Sequence, residues 1–411
     1  MTENEKCASV AVIGTGPAGM AGALEASRRG GEVILLDGNA ITGRKLRVTG
    51  GGRGNLTNLH ATPEKYFTHG STAMIQAVFQ QMDPRDLIRY FHELGILTWH
   101  TDDGWVYPVS NSAVNVSTIL EARLREADVQ IRLGTLVQDI IPEADAIRLV
   151  TNSGEEIRCQ SLIVACGGKA YPDLGSTGSL YKILQRLGHT MIPVTPALAP
   201  IETDPKAVQK LQGIRLDAGV TLLSKDAVIA ETTGNIIFTQ WGINGPGVMD
   251  LSHHVQEYPG EVLSLRLNFL GNYHQEFLKY ITDQRNSQMS IEAMLGIVLP
   301  PKLCAVLLEK AHLRGATPIS QIDDRLLQFL ILLAQEYRID VKGVRGYDQC
   351  QVTGGGITLD EVDPFILQSR LQPRIWLAGE VLDVIGPCGG YNLHWAFSTG
   401  ILAGRAVSIA N

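Results

Sequence analysis

A glycine turn near the N-terminus restricts the fold more than any other feature of the sequence. It reads V-A-V-I-G-T-G-P-A-G and places Gly14, Gly16 and Gly19 in the spacing G-x-G-x-x-G. An apolar stretch precedes the turn, a helix-like stretch follows it, and Asp37 ends the next apolar stretch, 23 residues after Gly14. In a βαβ unit such glycines permit a tight turn, a close approach to a pyrophosphate and close helix–strand packing, and the acid binds an adenosine ribose. The pattern therefore predicts a Rossmann-type dinucleotide site, without separating NAD from FAD.

Length and composition narrow the class of protein. At 411 residues the chain exceeds the usual size of a single core, which predicts two or three domains. The net charge of −7 argues against a surface devoted to nucleic acid, and six scattered cysteines without a CxxC pair indicate reduced thiols. No apolar run reaches the roughly 18 residues of a membrane span, and the polar N-terminus has no signal-peptide pattern. We therefore expect a cytoplasmic protein.

The first half of the chain reads as an α/β domain. After the βαβ unit, apolar periodicity predicts helical segments near 71–95 and 112–127. Alternating stretches at 129–150 and 156–160 predict strands of a β-meander, and a buried-type strand follows at 161–165.

The second half indicates two insertions into that domain. Residues 201–270 alternate apolar and polar side chains between turn signals, which predicts a small antiparallel β region. Residues 273–338 carry apolar faces with a period of 3.6 and predict helices. Strand-like patterns return at 350–383, and a final helix is predicted at 392–410.

Two further glycine motifs favour FAD over NAD. Val164-Ala-Cys-Gly-Gly, which contains Ala165 and Gly167, resembles the second glycine turn of two-dinucleotide flavoproteins. Ile375-Trp-Leu-Ala-Gly379-Glu380 resembles their late strand, whose acid contacts the ribityl chain. Three such motifs in order are hard to reconcile with a simple NAD dehydrogenase.

Two loops have unusual compositions. The loop 43–58 combines three adjacent glycines with several basic side chains, so its backbone N–H groups can press against a flat ring or a phosphate. The segment 386–400 places Gly389 and Gly390 before an apolar helix, whose N-terminus can stabilise an anionic reduced flavin.

Four long strings closely resemble one family. They are GRKLRVTGGGRGNLTN, CGGKAYPDLGSTGSLY, VTGGGITLDEVD and AGEVLDVIGPCGGYNLHWAFSTG. The family is the BaiN-like, aminoacetone-oxidase-type family of FAD-binding oxidoreductases, and the likeness covers nearly the whole chain. It implies an α/β fold with a glutathione-reductase-type Rossmann FAD-binding domain, an inserted β-barrel-like domain and a helical subdomain. We expect these parts at 1–193 with 348–411, at 194–271 with 339–347, and at 272–338.

The resemblance and the motifs together give a set of cofactor-binding residues. The predicted residues are Gly14, Gly16, Pro17, Ala18, Gly19, Asp37, Gly43, Arg44, Lys45, Thr49, Gly50, Gly51, Gly52, Arg53, Asn55, Val137, Ala165, Gly167, Gly379, Glu380, Gly389, Gly390, Tyr391, Asn392 and Leu393. No metal site is predicted.

Three positions depart from the family pattern. Gly54 replaces a cysteine of the usual Gly-Gly-Arg-Cys-Asn loop, so no mechanism here can use a thiol at that place. Cys166 and Cys388 stand where threonine is more usual. Cys388, beside the predicted flavin edge, is either a redox thiol or a small filler, and the filler is favoured because no partner cysteine lies nearby in sequence.

The activity implied by the resemblance is the reduction of an activated C=C bond by hydride from reduced flavin N5. His394 and Tyr391 are the predicted catalytic proton donors, and Tyr107 is a third candidate. NAD(P)H is the expected transient reductant, although a second G-x-G-x-x-G is absent and 242–247 has the wrong spacing.

Other functions stay open at this point. One is reduction of uridine in ribosomal RNA, for which the arginines of 44–53 with Lys342 and Arg345 are the only basic candidates. Another is amine oxidation, and a third is a non-catalytic flavin-binding redox module. We expect a small-molecule substrate, because the net charge disfavours RNA, and no membrane partner; the oligomeric state is left open.

Overall fold

The structure of the protein is a computed structural model that describes residues 7–409. Within it, Pro196–Cys350 form one compact unit, and the residues before and after that segment together form the other.

The secondary structure comprises strands, α-helices and short 3-10 helices. The strands are β1 (Ala8–Ile13), β2 (Val33–Asp37), β3 (Thr57–Asn58), β4 (Thr98–His100), β5 (Trp105–Pro108), β6 (Gln130–Leu133), β7 (Val137–Pro142), β8 (Ile147–Thr151), β9 (Glu156–Val164), β10 (Met191–Ala197), β11 (Ile201–Thr203), β12 (Arg215–Ser224), β13 (Ala227–Phe238), β14 (Gly242–Asn244), β15 (Leu263–Asn268), β16 (Tyr337–Val344), β17 (Val352–Ile357) and β18 (Ile375–Leu377). The α-helices are α1 (Pro17–Arg28), α2 (Ala73–Gln81), α3 (Pro84–Glu93), α4 (Ala113–Glu126), α5 (Tyr181–Arg186), α6 (Pro205–Val208), α7 (Pro246–Met249), α8 (Ser252–Glu257), α9 (His274–Asp283), α10 (Ile291–Leu295), α11 (Pro301–Lys310), α12 (Asp324–Gln335) and α13 (Tyr391–Ala406). The 3-10 helices are Leu46–Gly52, Pro63–Lys65, Pro172–Leu174, Gln209–Leu211, Gly271–Tyr273, Ile319–Gln321, Leu359–Glu361 and Gly379–Val381. Of the helices within residues 7–409, none is long and apolar enough to cross a membrane.

A seven-stranded sheet forms the centre of the first unit, in the order β6-β2-β1-β9-β8-β7 with β18 beside β9. β1 pairs in parallel with both β2 and β9, so that Val12 lies between Leu35 and Ile163. β9 pairs with antiparallel β8 along its first half and with parallel β18 along its second half. Both ends of the chain therefore contribute strands to one sheet, as the resemblance predicted.

The helices α1 and α13 also come from opposite ends of the chain, and glycines bring their backbones together. A Cβ atom built on Gly400 would lie 2.2 Å from the carbonyl oxygen of Ala18, and one on Gly404 would lie 2.3 Å from that of Gly22. Any side chain at Gly400 or Gly404 would force the two helices apart.

Two predicted elements of this unit differ from the structure. The helical segment 71–95 is two helices, because Pro84 cannot continue α2 and Asp83 caps α3, accepting hydrogen bonds from the Arg85 and Asp86 backbone N–H groups. Gln130–Leu133 is not part of the meander but pairs in parallel with β2, at the sheet edge.

A closed barrel of six strands, in the order β11-β14-β13-β12-β15-β16, forms the framework of the second unit. The helices α9–α12 share one hydrophobic core with it, in which Leu265 of β15 lies together with Phe277, Leu303 and Leu330. The predicted α/β fold with an inserted β-barrel is confirmed.

Candidate functional site

The three glycines of the N-terminal turn have different surroundings. A Cβ atom built on Gly14, whose φ is +104°, would lie 2.3 Å from the carbonyl oxygen of Ala165, and one on Gly19 would lie 1.8 Å from that of Gly14. A Cβ atom on Gly16 would meet no atom within 4 Å. Packing within the protein thus requires Gly14 and Gly19, whereas Gly16 borders open space at the N-terminus of α1, which favours an anionic group.

Gly379, from the C-terminal part of the chain, packs against the first turn of α1. α1 begins at Pro17 with Gly16 as its N-cap, and no side chain caps the helix. Ala18 is buried, and a Cβ atom built on Gly379 would lie 2.9 Å from its methyl group. The uncapped N–H groups of this turn therefore remain to meet a ligand.

Asp37 is engaged by the protein itself. Its Oδ2 accepts hydrogen bonds from the Thr15 backbone N–H (2.7 Å) and hydroxyl (2.6 Å), and its Oδ1 accepts from the Asn39 backbone N–H (2.7 Å) and side-chain amide (2.9 Å). Two acceptor positions per carboxylate oxygen are thereby occupied. In this arrangement Asp37 positions the glycine turn.

Gly43 and Arg44, two predicted binding residues of the 43–58 loop, extend the hydrogen-bond network around Asp37. The Gly43 backbone N–H donates to the Thr15 hydroxyl (3.2 Å), and a Cβ atom on Gly43 would lie 2.6 Å from Ser117 Oγ. The Arg44 guanidinium donates to Asn39 Oδ1 at 3.1 Å.

The glycine run of the same loop turns back on itself. Gly50, Gly51 and Gly52 have φ values of +58°, +65° and +86°, which L-residues with side chains rarely adopt. A Cβ atom on Gly51 or Gly52 would meet nothing within 4 Å. The hydroxyl of Thr49 donates to the Leu46 carbonyl (2.7 Å) at the start of this turn. The turn therefore presents bare backbone to open space, as a cradle for a flat ring requires.

Asn55 has an unpaired polar atom beside the start of α13. The residue is 5% exposed, and its Oδ1 has no hydrogen-bond partner among residues 7–409. A Cβ atom on Gly390 would lie 2.8 Å from that oxygen and 2.4 Å from the Thr57 carbonyl oxygen. A buried amide oxygen without a partner costs free energy unless a ligand satisfies it.

Glu380 joins the basic loop to the second half of the chain. Its carboxylate forms an ion pair with Lys45 (2.9 Å) and accepts a hydrogen bond from the Thr353 backbone N–H (2.9 Å). The Thr353 hydroxyl in turn accepts from the Lys169 backbone N–H (2.6 Å), next to the turn at Gly167, whose φ is +73°. Four segments that lie far apart in sequence thus meet at this acid.

Strand β5 forms a wall that the set of predicted binding residues does not include. Alternate side chains of a strand point to the same face, so Trp105 and Tyr107 lie side by side. A Cβ atom on Gly389, whose φ is +110°, would lie 2.9 Å from the Trp105 ring, and one on Gly50 would lie 3.6 Å from the Tyr107 ring. The strand therefore lines both glycine segments. The alternation W-V-Y-P after the turn T-D-D-G is the sequence signal that identifies it.

The two predicted catalytic residues lie in the core. His394 is fully buried; its Nδ1 is 2.9 Å from the Thr57 hydroxyl, and its ring stacks on Phe79 at 4.8 Å. Burial lowers the pKa of His394 to about 4. Tyr391 is 7% exposed, and its hydroxyl donates to the His60 carbonyl at 3.4 Å. Contacts within the core hold both side chains, and His394 Nε2 has no hydrogen-bond partner among residues 7–409.

The remaining predicted residues lie at the start of α13 and in β7. Asn392 closes the 386–392 loop, because its amide accepts from the Gly386 N–H (2.9 Å) and donates to the Gly386 carbonyl (2.7 Å). Leu393 is half-buried, and Val137 is buried in β7. Burial raises the pKa of the Cys166 thiol to about 12, so that this cysteine stays protonated.

A histidine–carboxylate pair lies next to the 386–392 loop. Asp383 is fully buried and accepts hydrogen bonds from the His69 backbone N–H (2.8 Å) and, at 3.1 Å, from its ring Nδ1. Phe67 and Ile385 pair as an isolated bridge beside it. No local motif in the sequence signals this pair.

These features fit a flavin dinucleotide. Gly16 offers space at a helix N-terminus for a pyrophosphate, the turn 50–52 offers bare backbone for a ring, and Asn55 offers an unpaired acceptor at the same place. All of them belong to the first unit.

Comparison with known proteins agrees with this geometry. The family model described as the HI0933-like protein Rossmann domain matches residues 8–406, which is nearly the whole chain. The chain belongs to the HI0933-like Rossmann family of FAD-binding oxidoreductases. FAD is therefore its cofactor class, and the predicted family is confirmed.

Two curated relatives match this chain over almost their full lengths. The chain is 35% identical to the 3-dehydro-bile acid delta(4,6)-reductase of Clostridium scindens, covering 97% of this chain and 98% of that one. It is 31% identical to the ribosomal RNA dihydrouridine synthase of Escherichia coli, covering 94% and 95%.

A solved structure has the same fold as this chain. It is the 3-ketosteroid-delta4-(5alpha)-dehydrogenase of Rhodococcus jostii in complex with 4-androstene-3,17-dione, with a TM-score of 0.51 at 14% identity over 99% of this chain and 98% of that one.

Proposed function

We propose that this protein reduces a C=C bond conjugated to a carbonyl group, with NAD(P)H as the electron donor. The observation that carries the proposal is the 35% identity, over 97% of the chain, to a reductase named for the delta(4,6) double bonds of a 3-dehydro-bile acid. A 3-keto group conjugates with a double bond at position 4, which makes that bond electrophilic.

The second relative points to the same chemistry. A dihydrouridine synthase saturates the C5=C6 bond of uracil, and that bond is also conjugated to a carbonyl group. Reduction of a conjugated C=C bond is therefore the reaction that both names share, although the substrates of the two relatives differ in size and charge.

The residues of the site suit such a reaction. When bound, FAD supplies the hydride. The α1 N-terminus and Gly16 would hold its pyrophosphate, and the 50–52 turn with Asn55 would hold its ring system. The N-terminus of α13, which follows Gly390, places helix N–H groups where negative charge is stabilised.

The reductant is tested first. Anaerobic mixing with NADH or NADPH is expected to bleach the flavin band at about 450 nm within the time of a turnover. No bleaching by either nucleotide would remove NAD(P)H from the proposal and leave the question of the acceptor open.

The acceptor is tested with the reduced protein. We expect anaerobic reoxidation by cyclic enones, with the saturated ketone as product, and no reoxidation by the matched alkenes without a carbonyl group. Reoxidation by neither class, or by both equally, contradicts the proposal. Peroxide release with small amines would instead support an amine oxidase.

Ribosomal RNA is the second candidate substrate, because a relative of that name matches 94% of the chain. Two of the basic side chains that would serve RNA binding have partners within the protein: Arg47 donates to the Thr42 carbonyl (3.0 Å), and Arg345 forms an ion pair with Glu202 (2.9 Å). The net charge of −7 also disfavours a polyanionic substrate, so we favour a small molecule. Loss of a dihydrouridine from ribosomal RNA in a deletion strain would reverse this preference.

A further inference from the structure

We propose that Tyr107 is the proton donor for the reduced double bond. The inference rests on the function proposed above and names the residue that completes its chemistry. Two observations carry it, the place of Tyr107 in the wall of the site and the cation that lies on its ring.

Tyr107 lies at the glycine cradle. Its ring is the neighbour of Gly50, at 3.6 Å from a Cβ atom built there, and Trp105 on the same face of β5 borders Gly389. A side chain between these two glycine segments is therefore next to any ring that the segments hold. Tyr107 is 4% exposed, so packing holds its ring in place.

Arg53 makes this phenol more acidic than burial alone would leave it. Its guanidinium carbon lies 4.1 Å from the centre of the Tyr107 ring, and Asn111 Oδ1 accepts from the same guanidinium at 3.3 Å. The ring of Trp99 stacks on the ring of Tyr107, with ring centres 5.6 Å apart. Burial raises the pKa of Tyr107, Arg53 lowers it, and Asp103 raises it. The cation stabilises the phenolate that proton donation leaves behind.

The other candidates are less well placed. The Tyr391 hydroxyl already donates to the His60 carbonyl, and His394 is fully buried, with its ring stacked on Phe79. His69 is oriented by the buried Asp383, and its ring lies edge-on to Phe67 with ring centres 5.0 Å apart.

The step balances as follows. One carbon of the double bond gains the hydride that reduced FAD supplies, and the other gains the proton of Tyr107 Oη. Two electrons thereby pass from the cofactor to the C=C bond, which becomes a CH–CH single bond. Water then returns a proton to the phenolate.

The test compares Tyr107→Phe with Tyr273→Phe, a matched change at a surface tyrosine that is 68% exposed. In Tyr107→Phe we expect the FAD dissociation constant and the rate of flavin bleaching by NAD(P)H to stay within about twofold of the wild type. Reoxidation of the reduced protein by an enone should slow by roughly 10²- to 10⁴-fold, the usual contribution of a positioned acid. Tyr273→Phe should change neither half-reaction.

The outcomes separate the two proposals. If the reduced wild type is reoxidised by no enone, the proposed function fails. If the wild type is reoxidised and Tyr107→Phe is equally fast, Tyr107 is not the donor, and slow reoxidation in His69→Asn would then assign that role to His69.

Arg53→Met supplies a readout that does not depend on turnover. Without the cation the pKa of Tyr107 rises, so the phenolate absorbance at about 295 nm, taken as the difference from a matched Tyr107→Phe protein, should appear at higher pH than in the wild type. The alkaline decline of the reoxidation rate should move to higher pH by the same amount. An unchanged titration in Arg53→Met contradicts the role of the arginine.

Discussion

At the scale of single residues, several polar side chains predicted to bind the cofactor or to act in catalysis also hold other parts of the protein. Asp37 accepts four hydrogen bonds from Thr15 and Asn39 at 2.6–2.9 Å. Asn392 binds its own loop, and His394 binds Thr57 within the core. These contacts shape the site.

Replacement of Asp37 by Asn should therefore weaken FAD binding indirectly. An amide has one acceptor oxygen and turns its NH2 toward donors, so we expect FAD affinity to fall by roughly tenfold or more. Flavin fluorescence during titration of the apoprotein measures this, with the exposed Asp145→Asn as control. Removal of the adenosine 2′-hydroxyl from FAD should lower the binding affinity by the same factor in the wild type and in Asp37→Asn. A loss of affinity confined to the wild type would show that Asp37 contacts the ribose directly.

His394 should make stability, and not catalysis, depend on acid. Burial lowers its pKa to about 4, while an unfolded histidine titrates near its ordinary value of about 6.5. The unfolded chain then binds more protons between these values, so the free energy of unfolding falls as the pH drops through this window, by about 2–3 kcal/mol. Urea unfolding at pH 7 and pH 5 should show this loss in the wild type and much less of it in His394→Gln. An equal loss in both proteins would contradict the assignment.

At the scale of elements, the contact between α1 and α13 decides how the two chain ends meet. Gly400 and Gly404 let the backbone of α13 approach α1 at the turn that carries Gly16 and Pro17. The position of the dinucleotide turn thus depends on a helix that lies more than 370 residues later in the chain.

Gly400→Ala should consequently lower both stability and cofactor retention. The added methyl group would stand 2.2 Å from the Ala18 carbonyl oxygen, and overpacking of this kind typically costs about 1–3 kcal/mol or more. Thermal unfolding and the FAD content after purification are the measurements. Gly219→Ala in β12, where the nearest atom would be at an ordinary 3.5 Å, serves as control. Equal losses of stability and of bound FAD in both variants would contradict a specific role for the contact between α1 and α13.

At the scale of the whole molecule, the cofactor features lie in one of the two compact units. The glycine turns, Asn55 and the start of α13 belong to the unit outside Pro196–Cys350, whereas the barrel and the helices α9–α12 build a separate hydrophobic core.

Hydrogen exchange should reveal this division. Addition of FAD to the apoprotein should protect amides in 14–19, 43–58 and 389–393, because these segments bind the cofactor and become ordered by it. Amides in 263–268 of the barrel and 301–310 of α11 should exchange at unchanged rates, and they form the internal control. Equal protection in both units would contradict a cofactor site built by the first unit alone.

The sequence by itself determined the Rossmann-type turn, the family and most segments that form the site. These properties are local: Gly14 and Gly50–Gly52 adopt positive φ values that favour glycine, and the spacing of the first turn follows from one βαβ unit. Only the tertiary structure decided which side chains face the site. His394 meets Thr57 across 337 positions of sequence, and Trp105 and Tyr107 become neighbours of Gly389 and Gly50 only through packing. Contacts of this kind depend on how distant segments are brought together, which no local pattern encodes.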